Sequence, residues 1–182
     1  MNDTLVKKFK WFWYWQDDKE EAWLGEMARQ GLHLQKMNSL GHRYSFIQGK
    51  PKDVAYRLDF VKNARKTSDY FQLFQDAGWE HVGEMGGWQY WRKDVEAGKV
   101  PEIFTDTESK VRKYQRLLTY FTISIPLFVF YVIDFNNSHT HYHLPFFAAL
   151  ENIFYAVFFV LFMSFFFSIF MILRRVSELK RK

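Results

Sequence analysis

Two long runs of this 182-residue chain hold almost no charge, and they restrict what the rest can be. Residues 117–135, LLTYFTISIPLFVFYVIDF, carry one charged side chain, Asp134, near the far end; residues 153–173, IFYAVFFVLFMSFFFSIFMIL, carry none. A helix rises about 1.5 Å per residue, so each run reaches across roughly 30 Å of hydrocarbon. A helix satisfies its own backbone hydrogen bonds there, which an irregular segment does not. A buried core helix is the competing reading, and two such runs in succession argue against it. Both lie far from the N-terminus, so neither reads as a cleavable signal peptide. The expectation is a two-helix transmembrane hairpin with spans at 117–135 and 153–173, an extracytoplasmic loop at 136–152 and a basic tail at 174–182.

The placement of charge supports this and orients it. Residues 1–109 contain 16 Lys/Arg and 17 Asp/Glu, a net of −1, although the whole chain is +5. Lys110, Arg112, Lys113 and Arg116 precede the first run, and Arg174, Arg175, Lys180, Arg181 and Lys182 follow the second. The connecting stretch has no Lys or Arg. Cytoplasmic flanks carry the positive excess, so both termini are expected in the cytoplasm, on a multi-pass cell-membrane protein whose first partner is the lipid bilayer. Pro126 is expected to kink the first span. Ser164 and Ser168 form a small-xxx-small pair that leaves a homo-oligomer open. Nucleic acid is excluded as a partner, because an aromatic stacking platform needs a basic groove for phosphates and the front region is near neutral. With no cysteine there is no disulfide, thiolate metal site or cysteine nucleophile.

Residues 1–99 read as a cytoplasmic α+β domain made of two repeats, about 8–50 and 54–93. A helix is expected over 18–30, capped by Asp17 or Asp18 and ended by Gly31, with Trp23, Leu24, Met27 and Ala28 as its apolar stripe. At a shift of 47 residues, Trp23, Leu24, Met27 and Gly31 fall on Tyr70, Phe71, Phe74 and Gly78, with Thr67 or Ser68 as the second cap. The preceding strand matches too, with Phe9, Trp11 and Trp13 falling on Tyr56, Leu58 and Phe60. Gly41 and Tyr44 fall on Gly87 and Tyr90 at a shift of 46. Two strand–helix–strand–strand units of this kind make an antiparallel sheet with both helices on one face. Residues 100–116 then form a juxtamembrane linker and helix.

In FKWFWYW, residues 9–15, every position but Lys10 is aromatic. Read as a strand, it alternates faces. Phe9, Trp11, Trp13 and Trp15 would lie in the core. Phe12 and Tyr14, joined by Trp91, would form a leftover face for a ligand or partner. Packing of that face on the linker, the membrane surface or a second copy is the bland alternative.

Catalytic patterns are hard to find. Gly86-Gly87 reads as a turn between strands and not a phosphate loop, and no Gly-x-Ser-x-Gly elbow occurs. His33, His42 and His81 are scattered, with no nucleophile beside them. Asp17, Asp18, Glu20 and Glu21 are accounted for by the positive end of the helix dipole. His139, His141 and His143 have a spacing that suits a transition metal. Histidine is also uncharged polar filler where Lys and Arg are disfavoured, so no metal or other cofactor is expected.

Several stretches carry a family resemblance: WLGEMARQGLHL (23–34), YSF (44–46), YRLDF (56–60), YFQLFQDAGWEHV (70–82) and WQYWRK (88–93). Over roughly residues 8–93 the chain resembles a bacterial family, domain of unknown function 2812. Tyr56–Phe60 and Ala77-Gly78-Trp79 are the specific parts. The resemblance implies an N-terminal domain often followed by membrane spans, and no assigned activity. Members often lie beside small winged-helix repressors, which implies a regulatory or envelope-stress role. The duplicated plan is also similar to that of small-molecule-binding domains related to gyrase inhibitory proteins, by fold plan alone.

The expected function is therefore a membrane-anchored, non-enzymatic regulator or sensor, whose aromatic cytoplasmic domain binds a small apolar ligand or a protein partner. The alternatives are an accessory subunit of a transporter working through its hairpin, and an enzyme acting on envelope material, for which no polar cluster was found.

Overall fold

The computed structural model describes residues 5–38, 42–62, 68–96, 100–103, 107–137 and 145–181. The chain divides into two compact units, residues 1–113 and 114–182.

The first unit repeats one pattern twice. Strand β1 (Leu5–Phe9), helix α1 (Asp17–Arg29), β2 (Leu32–Met37) and β3 (Arg43–Gln48) are followed by β4 (Val54–Phe60), α2 (Ser68–Asp76), β5 (Glu80–Met85) and β6 (Trp88–Asp94). The duplication read from the sequence is thus present, and its glycine stops hold. Gly31 and Gly78 sit at φ +80° and +77° just past the two helices, where the left-handed conformation suits glycine. At Gly31 a Cβ would also stand 2.5 Å from the Gly49 carbonyl oxygen, so the site refuses any side chain twice over. Gly41 and Thr67 lie outside the described residues.

The single antiparallel sheet expected from the repeat is instead two three-stranded sheets, ordered β1-β3-β2 and β4-β6-β5, all antiparallel. β2 and β5 lie side by side, and each carries a register shift, between Leu34 and Lys36 and between His81 and Gly83. A bulge breaks the regular spacing of donors and acceptors along an edge. Two bulged edges facing each other account for the missing ladder.

The two helices also do not share a face. Trp23 of α1 packs edge-on against Tyr44 and Phe46, and Glu20 reaches Tyr90. α2 instead covers Trp91, which stacks on Phe74 at 4.5 Å and donates its indole N–H to the Tyr70 hydroxyl at 3.2 Å. Tyr90 and Trp91 are neighbours in one strand and point to opposite sides. α1 and α2 therefore lie on opposite faces of the second sheet, which is why β4 is buried on both.

α1 does a further job. It lies along the open edge of β4, close enough that a Cβ on Gly25 would stand 3.3 Å from the Val54 carbonyl oxygen. Glu21 accepts the Leu58 backbone N–H at 2.8 Å, and the Ala28 carbonyl accepts that of Lys52 at 3.0 Å. The edge that would otherwise recruit another strand is thereby satisfied. The helix itself shows the expected stripe: Leu24, Met27 and Ala28 are buried. Its cap differs from expectation. Gln16 occupies the N-cap without a side-chain bond to the helix; Asp17 binds Lys113, and Asp18 accepts the Lys19 N–H at 2.9 Å.

In the second unit, α3 (Thr107–Asn137), which starts in the first unit, continues past Pro126, and α4 (Pro145–Lys180) follows. They run antiparallel: Phe121 meets Phe165 at 5.3 Å, and the Arg175 Nε donates to the Tyr114 hydroxyl at 3.4 Å. Among the described residues one segment, Ala156–Lys180, is long and apolar enough to cross a membrane, with mean hydropathy 2.7 and 11% of its most apolar stretch buried. A second span at 117–135 is not matched by that criterion. Ser168 donates to the Ser164 carbonyl at 2.8 Å, so this pair is bonded within its own helix. The loop histidines His139, His141 and His143 lie outside the described residues.

Candidate functional site: an aromatic cleft with a buried acid

The aromatic run that opens the chain is not the strand its alternation predicts. β1 stops at Phe9, and residues 10–13 have no regular structure before a turn at Tyr14-Trp15. The cause is local. The Lys10 N–H still reaches the His42 carbonyl at 3.0 Å, but β3 begins only at Arg43 and offers no partner beyond it. The chain then closes on itself: Trp13 N–H donates to the Gln16 side chain at 3.2 Å, and Gln16 N–H donates to the Trp13 carbonyl at 2.8 Å. As a result Phe9, Trp11 and Trp13, expected in the core, are 70%, 50% and 39% exposed. Only Trp15 of that set is buried.

The rings hold each other instead. His42 stacks on Trp11 at 3.8 Å, Trp11 meets Trp13 edge-on at 5.5 Å, and Trp13 stacks on Trp15 at 5.3 Å. Phe12 turns the other way, to Trp23 and Tyr44. Aromatic contacts of this kind contribute about 0.5–1.5 kcal/mol each beyond area burial. The loop is thereby a preformed wall.

That wall bounds a cleft of about 300 Å³ between the two sheets. Trp11, Phe12, Trp13 and Tyr14 form one side, with His42 at the start of β3. Leu58 of β4 and the β5–β6 hairpin, through Met85, Gly86 and Trp88, form the other. Asp17 and Glu20 of α1 complete the lining. The volume matches the lower end of small-molecule sites, and an apolar lining with few polar groups is their usual composition.

The polar groups are arranged with care. Asp17 and Glu20 are 4% and 6% exposed, so the dipole argument for a solvated helix start does not describe them. Lys113 of α3 binds the Asp17 carboxylate, donates to the Leu58 carbonyl at 3.1 Å and lies 5.9 Å from the Trp88 ring centre. Glu20 joins the sheets: its Oε1 accepts the Tyr44 hydroxyl at 2.8 Å from β3 and the Tyr90 hydroxyl at 2.6 Å from β6. Its Oε2 has no hydrogen bond among the described residues. Burial pushes the Glu20 carboxyl up to about 7; the Tyr90 and Tyr44 hydroxyls oppose this, and the Asp17 charge adds to it. Burial first, and Glu20 second, raise both tyrosines above their ordinary range, so they remain donors.

Of the three residues expected on a docking face, the structure brings together Phe12 and Tyr14. Trp91 is fully buried under α2 and belongs to the Phe74–Trp79 core. His33 and His81 are remote in role: the first bonds the Lys50 carbonyl at 2.9 Å, the second the Gln89 side chain at 2.9 Å. Sequence reasoning missed Asp17 and Glu20. A signal was present, since 17, 20, 24, 27 and 28 continue one helical stripe, which places both acids on the buried face.

The fold and cleft define a duplicated α+β domain with an aromatic site between its sheets, followed by a helical pair. The chain belongs to the family described as protein of unknown function (DUF2812), which matches residues 5–125 and so includes both repeats and the first part of α3. No curated protein and no solved structure matches it.

Proposed function

We propose that this protein is a membrane-anchored, non-enzymatic regulator or sensor whose cytoplasmic domain binds a small, largely apolar ligand in the cleft between its sheets. The observation that carries the reading is the preformed aromatic wall, Trp11–Tyr14, whose Trp11, Trp13 and Tyr14 are left exposed around a cavity of ligand size. An apolar surface of this kind facing water marks a binding site more often than an accident of packing. Among the described residues the acids and histidines around it make no nucleophile–base pair, which favours binding over catalysis.

The anchor is read as multi-pass, with both termini in the cytoplasm. Support comes from the apolar segment 156–180, the antiparallel contact of α3 with α4, the low charge of 117–135 and the basic flanks. Photolabelling of the full chain in lipid nanodiscs with a small uncharged aryl diazirine tests the ligand site. Label on peptides containing residues 11–14 and 85–88, besides the expected label on α4, is the supporting result. Label confined to α3, α4 and lipid counts against it.

A further inference from the structure

The cleft is apolar on its walls and acidic at its floor, and the two acids are not equivalent. Asp17 already has a cation, Lys113. Glu20 has none: two neutral hydroxyls serve its Oε1, and its Oε2 is left without a hydrogen bond, although the residue is 6% exposed and lines the cavity. That oxygen is not among the buried unpartnered atoms, so it stays open to the cavity and a cationic group entering the cleft can pair with it. The surrounding rings present negative faces, which attract cations and repel anions. The cations near the cleft are engaged: Lys113 with Asp17 and the Leu58 carbonyl, and Lys10 over the Phe12 and Trp23 rings at 5.7 and 5.3 Å.

We propose that the cleft selects an organic cation, a quaternary or protonated amine on an aromatic body, with its charge beside Glu20 Oε2 and its body against Trp11, Phe12, Trp13 and Trp88. This rests on the ligand-binding reading above and names the ligand's chemistry. Binding is coupled to a proton, because the cation requires ionised Glu20 and the empty cleft favours the protonated acid. The groups that face this carboxyl are Asp17 on its own helix, Tyr44 from β3, Tyr90 from β6 and Lys113 from α3, with His42 at the rim. Of these, Asp17 and Lys113 are paired and the tyrosines stay neutral, which leaves Glu20 to titrate near 7.

The test uses the full chain in lipid nanodiscs and isothermal titration, with empty nanodiscs subtracted. The probes are (2-naphthylmethyl)trimethylammonium and its uncharged relative 2-naphthalenemethanol. The cation should bind more tightly than the alcohol at pH 8, and its affinity should fall about tenfold from pH 8 to pH 6, the change in the ionised fraction of an acid titrating near 7. Glu20→Gln keeps an oxygen acceptor for both tyrosines. It should lose both the preference for the cation over the alcohol and most of the pH dependence. If the alcohol binds but the cation binds no better at pH 8, the inference falls while the ligand-site reading stands. If Glu20→Gln keeps full affinity for the cation, the inference also falls. If neither probe binds wild type, both readings fall.

Discussion

A buried acid that titrates near neutrality makes the stability of the first unit depend on pH in an unusual direction. Glu20 is held near 7 in the folded chain against an ordinary value of 4.5. Its protonated form is therefore the one the fold prefers. The contribution is fully present below about pH 4.5 and is lost as pH rises through 7. Each pKa unit corresponds to about 1.4 kcal/mol, so the full effect is on the order of 3 kcal/mol. The linkage relation places most of this in the interval from pH 5 to pH 8. Paired surface carboxylates act oppositely, so the effect must be isolated by difference. Glu20→Gln removes the titration and keeps an acceptor for Tyr44 and Tyr90. All seven tryptophans lie between residues 11 and 91, so tryptophan fluorescence during urea unfolding of the full chain in maltoside micelles reports the first unit. The stability of wild type minus that of Glu20→Gln should fall by roughly 2–3 kcal/mol from pH 5 to pH 8. Parallel curves for the two proteins would refute the burial of an uncompensated acid at this position.

Other substitutions separate the wall of the cleft from the core. Trp91→Ala should cost about 3–5 kcal/mol in the same urea assay, because Trp91 is fully buried on Phe74 and bonded to Tyr70. Trp11→Ala, at an exposed ring, should cost about 1 kcal/mol or less and instead weaken labelling of the cleft. Lys113→Met leaves Asp17 charged and buried and should cost about 3–5 kcal/mol, with Asp17→Asn in the same chain recovering most of the loss. Gly31→Ala should lower the urea midpoint by more than 1 kcal/mol equivalent, since both the positive φ and the Gly49 carbonyl oppose a Cβ.

The repeat was legible because it is written in local chemistry: glycine stops at 31 and 78, and matched tyrosines at 44 and 90. The division into two sheets was not, because a bulge at 34–36 or 81–83 is a backbone event that alternation does not record. Helix placement failed for a related reason. Trp23 meets Tyr44 while Tyr70 meets Trp91; the equivalent helix residues face non-equivalent strand residues, so the repeat is symmetric in sequence and not in packing. The run at 9–15 misled because strand periodicity says nothing about whether a partner strand extends alongside. Glu20 was visible as a member of the buried stripe, but its charge suggested a helix-terminal role that satisfied the same sequence equally well. Tyr44 and Tyr90, 46 residues apart, meet at that acid only through the tertiary fold.

The tryptophans also provide the sharpest test of where the molecule binds. Full-length protein carrying 5-fluorotryptophan, in nanodiscs, gives a fluorine resonance for each of the seven indoles, assignable by single Trp→Phe replacements. On titration with (2-naphthylmethyl)trimethylammonium, Trp11, Trp13 and Trp88 should shift with one common affinity, while Trp79 and Trp91 beneath α2 stay in place. Shifts confined to Trp79 and Trp91, or no saturable shift at Trp11, Trp13 and Trp88, would contradict the account.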